Sequence, residues 1–123
     1  LIKIGALLIH TAKIDEKYSE DEYEIIKKTL LELGADKKNL DTLMNNAKNI
    51  EEQSNQILDF TREIKNMNEK EKIKIVESLW KIIYSNKDAD IYETNLMRRL
   101  AGLLYIDSKT MGDIKKKIAM ENI

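Results

Sequence analysis

Apolar residues recur along this chain at three- and four-residue intervals, the spacing that lays them on one face of an α-helix. Ile4, Leu7, Leu8 and Thr11 form the first such stripe. Tyr23, Ile26, Leu30 and Leu33 form a second, opened by Ser19 and Glu22. Ser-x-x-Glu is a capping box, in which each side chain satisfies the other residue's exposed backbone N–H. Gly34 follows as the left-handed residue on which a helix stops. Leu40, Leu43, Met44 and Ala47 predict a short third helix. Ile50, Ile57, Phe60 and Ile64 predict a fourth, ending in the polar Asn66-Met67-Asn68 stretch.

Asn68-x-x-Glu71 is a further capping box and opens a fifth helix with Ile73, Val76, Leu79, Trp80 and Ile83. A polar link from Ser85 to Asp90 leads into Asp90-x-x-Glu93 and a sixth stripe of Leu96, Met97, Leu100, Leu103 and Leu104. Met111, Ile114 and Ile118 mark a last helix after Asp107-Ser108. Proline is absent and there are only 4 glycines, so strands joined by tight turns have little support. The expected fold is all-α, a compact bundle of about seven helices on one core.

The pattern repeats. Shifting Ser19-x-x-Glu22-x-x-Ile25-Ile26 by 71 positions places it on Asp90-x-x-Glu93-x-x-Leu96-Met97, and Leu33 on Leu104. Each copy follows an apolar helix and an acidic link, Asp15-Glu16 in one and Asp88-Ala89 in the other. Two pseudo-symmetric helix–acidic turn–helix hairpins are therefore expected.

The 123 residues suit a single domain, 1–123. A start at Leu1 instead of methionine predicts that a short native N-terminal segment precedes it. The 21 basic and 22 acidic residues are interspersed, which makes no field of one sign and argues against a nucleic-acid partner. Cysteine is absent, which removes thiolate metal sites and disulfides and fits a reducing, cytoplasmic setting. The run Leu1–Ile9 is interrupted by Lys3 and falls short of the ~20 residues of a membrane span, so no insertion within this segment is expected.

Candidate chemistry is confined to the two acidic turns. Asp88, Asp90 and Glu93 put three carboxylates at a helix start, and Asp15, Glu16 and Glu22 offer a second set. Oxygen-rich loops of this kind suit hard divalent cations, Ca²⁺, Mg²⁺ or Mn²⁺. Capping and the helix dipole are the simpler account of the same acids, and the spacing is not that of an EF-hand. His10, the lone histidine, has no nucleophile in a motif context and reads as a structural residue. Trp80 and the methionines Met44, Met97 and Met111 sit at core spacing. Arg98 and Arg99 could pair with Asp88 or Glu93 or face an anionic partner, and Lys115-Lys116-Lys117 reads as a solvated face.

The segment Ala6-Leu7-Leu8-Ile9-His10-Thr11-Ala12-Lys13-Ile14-Asp15 resembles the opening of TerB-like domains, the tellurite-resistance type. The stretch from Phe60-Thr61-Arg62 through Val76-Glu77-Ser78-Leu79-Trp80 and Asp88-Ala89-Asp90-Ile91-Tyr92-Glu93 to Leu104 is the more specific likeness. It is similar to a bacterial branch that shares the domain with TerB and with the N-terminal part of a membrane-anchored DnaJ-like co-chaperone. The resemblance implies a compact helical bundle whose acidic turns bind a divalent metal. The chain departs from the usual turn, which has glycine after its first aspartate: Glu16 follows Asp15, and Ala89 follows Asp88.

These readings together predict a non-enzymatic binding or scaffold module, tied by resemblance to tellurite or stress resistance and tuned by a divalent cation. Its metal ligands would be Asp15, Glu22, Asp88, Asp90 and Glu93, and its partner a protein. The alternatives are a metal-dependent hydrolase with carboxylate ligands and a juxtamembrane, co-chaperone-like adaptor. Oligomeric state is left open.

Overall fold

The computed structural model describes residues 1–14, 20–54, 56–85 and 91–121, with Ile91 by its backbone alone. Among them are seven α-helices and one short 3-10 turn, with no strand: α1 Ile2–Lys13, α2 Glu20–Glu32, the 3-10 turn Lys37–Asn39, α3 Leu40–Gln53, α4 Leu58–Ile64, α5 Glu69–Tyr84, α6 Ile91–Leu103 and α7 Ser108–Glu121.

Helix α1 is the hub. Its residues Ile4 to Ile9 are all buried, as are Thr11 and Ala12, so it is covered on every side rather than along the single stripe its spacing predicts. It packs against α2, α3, α4 and α5. The closest approach is at Gly5, where a Cβ would lie 3.0 Å from the Ala47 Cβ of α3 and 3.5 Å from Leu30 of α2. A glycine here costs helix propensity, and the tight three-helix junction is what it makes possible.

One boundary falls elsewhere than the spacing predicts. Ala47 and Ile50 belong to one helix, and the break comes at Ser54. The apolar stripe of α3 runs Leu40, Met44, Ala47 and then Glu51, a buried carboxylate at the position where the next apolar residue belongs. Lys13 Nζ donates to Glu51 Oε2 at 2.7 Å, and His10 Nδ1 lies 3.4 Å from Oε1. The charge interrupts the hydrophobic pattern without interrupting the helix, because the Lys13 ammonium and the His10 ring of α1 compensate its burial.

The ends of the helices follow the expected chemistry. Asn68 Oδ1 accepts from the Glu71 N–H at 2.9 Å, as a capping box requires. Glu71 returns to the Asn68 side-chain amide at 2.5 Å instead of to its backbone N–H. Ser19 and Asp90, the first residues of the other two boxes, lie outside the described residues.

The repeat extends well beyond the hairpins. Helix α2 ends in a Schellman motif: Ala35 N–H donates to Leu30 O (2.9 Å) and Gly34 N–H to Leu31 O (3.1 Å). Helix α6 ends in the same motif 71 residues on, with Ile106 N–H to Ala101 O (2.9 Å) and Tyr105 N–H to Gly102 O (3.4 Å). Gly34 and Tyr105 hold the left-handed position, at φ 108° and 58°. Asp36 and Asp107 follow at the same offset, accepting from the N–H groups of Lys38 (3.0 Å) and Thr110 (2.7 Å). The Thr110 N–H holds the Asp107 carboxyl below its ordinary pKa. Burial repeats too, with Ile26 and Met97, Leu40 and Met111, and Ala47 and Ile118 all in the core. The repeating unit is thus three helices, α1–α2–α3 and α5–α6–α7, joined through α4.

Two outcomes are expected in urea unfolding. Gly5→Val forces α1 away from Ala47 and lowers stability by about 1–3 kcal/mol despite the gain in helix propensity. Gly34→Ala lowers it by about 1 kcal/mol for backbone reasons alone, since nothing lies within 4 Å of the added Cβ, whereas Tyr105→Gly raises it by up to about 1 kcal/mol.

Candidate functional site

Each acidic segment of the sequence lies between the end of one repeat helix and the start of the next. The first is entered from α1 and left through α2. The second is entered from α5 and left through α6. The end of α1 is held by the Glu51 clasp, with Lys13 and His10 on one helix and the carboxylate on α3. His10 is partly buried, as expected, and its ring centre lies 6.4 Å from that of Phe60. The end of α5 is held by Trp80, whose indole N–H points at the Met111 sulfur (3.3 Å) and whose ring stacks on Tyr84 (5.9 Å).

Of the five predicted ligands, Glu22 and Glu93 are described, and Asp15, Asp88 and Asp90 lie outside the described residues. Glu22 is in the first turn of α2 and only 1% exposed; Glu93 is in the first turn of α6 and 4% exposed. Neighbouring Glu20 and Asp21 face solvent. A carboxylate that serves only to cap an exposed helix start remains hydrated, so burial of both glutamates at one repeat position exceeds what capping demands. Neither is without a partner. Among the described residues no three carboxylates or histidines converge into a metal-holding group. The five predicted ligands are all carboxylates, donors that suit a hard cation, and the sequence has no cysteine for a thiolate site.

Arg98 and Arg99 are exposed on α6, and no acid among the described residues pairs with either; the pairing expected with Asp88 lies outside the described residues. The Lys115-Lys116-Lys117 run, expected as a solvated face, is partly docked on α5. Lys117 Nζ donates to Glu77 Oε2 at 3.4 Å, and Lys115 Nζ lies 5.4 Å from the centre of the Trp80 ring. The stems reach back across the α5–α7 interface, which a run of like charges in sequence does not reveal. Met44, Met97 and Met111 are in the core as their spacing predicts.

Glu51 is the residue that sequence reasoning missed. Its signal was present: it continues the i, i+3, i+7 register of Met44 and Ala47 as a charge on an apolar stripe, the mark of a buried ion pair.

No helix among the described residues is long and apolar enough to cross a membrane. No curated protein and no solved structure matches the chain. The family profile described as "Tellurite resistance protein TerB" does match, over residues 1–116. That span takes in the hub helix, both acidic turns, both buried glutamates and most of α7, and on it the chain belongs to the TerB family.

Proposed function

We propose that this domain is a non-enzymatic binding or scaffold module whose two acidic turns take up a divalent cation. The observation that supports it is the matched burial of Glu22 and Glu93, one in each half and both at the first turn of the helix leaving an acidic segment. Both glutamates already have partners, and a cation shared between the halves adds compensating charge at two carboxylates taken out of water. Asp15, Asp88 and Asp90 complete the proposed ligand set with Glu22 and Glu93. A Ca²⁺, Mg²⁺ or Mn²⁺ ion held there supplies positive charge that ties the two hairpins together.

The chain's own residues set the frame for such a site. The Glu51 clasp fixes where α1 ends, and the packing of Trp80 fixes where α5 ends. With both of these helix ends held, the cation's effect is to order the hairpins and the helical surface they present, and a protein partner reads that surface. Residence in the cytoplasm and a part in tellurite or a related stress response belong to the same proposal, and the family and the cysteine-free sequence are what support them.

Thermal unfolding of chelated protein, followed with and without Ca²⁺, Mg²⁺ and Mn²⁺, tests the cation. A ligand at 100 times its dissociation constant adds about 2.7 kcal/mol if it binds only the folded state. The expected outcome is a raised midpoint with at least one of the three, lost in Asp88→Asn/Asp90→Asn. Identical midpoints at millimolar concentrations of all three would remove the cation from the account.

A further inference from the structure

Each half of the repeat carries a cleft between its second and third helices, and the two differ in lining and charge. The one in the second half is about 270 Å³ in volume and lies between α6 and α7, with Trp80 of α5, Met97 and Met111 forming its apolar floor. Arg98 stands on the α6 wall and Lys115 on the α7 wall, and no acidic side chain among the described residues lines it.

The repeat acts as an internal comparison. Under the 71-residue shift, three wall positions are smaller in the second half: Thr94 for Tyr23, Ala101 for Leu30 and Gly112 for Asp41. The glycine is not there for backbone reasons, since Gly112 is helical and nothing lies within 4 Å of the Cβ it lacks. A helix interior is the place where glycine costs stability, so an unfilled glycine on a groove wall calls for another account. The cleft between α2 and α3 is also charged differently. Glu52 stands there beside Lys13 and Lys48, and Lys13 is already paired with Glu51.

We infer that the α6–α7 groove docks an acidic amphipathic segment of a protein partner. One or two of the segment's apolar side chains seat on Trp80, Met97 and Met111, and its carboxylates pair with Arg98 and Lys115. Size and charge both point to this occupant. Sites that enclose a whole small molecule run from about 300 Å³ upward, and this groove, open along its length between two helices, fits side-chain anchors better. Arg98 and Lys115, one on each wall and with no acid paired to either among the described residues, complement carboxylates on either side of an apolar anchor. The inference rests on reading the domain as a binding module and is independent of the cation.

The probe is a capped helical peptide with a leucine face flanked by glutamates, titrated into chelated, ¹⁵N-labelled protein. Binding is followed through the amides of α6 and α7 and through the fluorescence of Trp80, the chain's only tryptophan. The glutamate peptide is expected to shift both, and its glutamine counterpart to bind at least about tenfold more weakly. Arg98→Glu/Lys115→Glu reverses the preference, favouring a lysine version of the peptide. Gly112→Leu fills the groove and abolishes binding with no loss of melting temperature, which a residue serving only the fold would not do. Three results would overturn the inference: no perturbation of α6, α7 or Trp80 at millimolar peptide, equal binding of the glutamine peptide, or binding unaffected by Gly112→Leu. Peptide shifts confined to another face would also overturn it while leaving the binding-module reading standing.

Discussion

The burial of α1 is the constraint from which the rest of the architecture follows. A helix covered on every side has no polar face to give to water, and from Ile4 to Ile9 this one carries none. Its neighbours must then approach from all directions. Gly5 is where that demand is met: without a side chain there, Ala47 and Leu30 reach the α1 backbone together, and α2 and α3 close on the same turn. In its first turn Lys3 reaches Glu63, and at its C-terminal end His10 and Lys13 meet the one carboxylate that α3 buries. Hydrophobic packing along the helix and a compensated ion pair at its end together define where the chain enters the first acidic segment.

The same plan is used twice. The matching helix stops, the aspartates after them and the core positions 71 residues apart describe one three-helix unit and its copy. What differs between the copies is informative because the frame is constant. The first half tightens its left-handed stop with Gly34, whereas the second tolerates the strain of Tyr105 at the same place. In the first half the hub is held by an ion pair, and in the second the matching helix is held by a tryptophan against a methionine. The lining of the α6–α7 groove is the third divergence, basic and without an acid among the described residues, where the α2–α3 cleft holds Glu52.

Much of this was legible in the amino-acid sequence because helices advertise themselves by period and by punctuation. The stripes of α5 and α7, the stop at Gly34 and the cap at Asn68 are local features, decided within a few residues, and the spacing found them. The break between α3 and α4 falls elsewhere than expected because Glu51 holds a core position as a charge, and the long-range pair with Lys13 is what accounts for its burial. The same reason concealed the depth of Glu22 and Glu93. As letters they satisfy a capping box; their burial is a property of tertiary packing, which no local pattern encodes. The docking of Lys115 and Lys117 onto α5 is likewise a property of tertiary proximity.

A buried carboxylate in each half, held at one repeat position by a shared frame, joins the fold to the proposed function. If one cation links the halves, Glu22 and Glu93 depend on each other only when it is bound. A double-mutant cycle of Glu22→Gln and Glu93→Gln, run in chelator and again in saturating cation, measures that dependence directly. The account predicts losses that add in chelator and a coupling of at least about 1 kcal/mol in cation, each single substitution already removing most of the cation's stabilisation. Losses that add equally under both conditions would contradict it, leaving two independent buried acids in a metal-free scaffold.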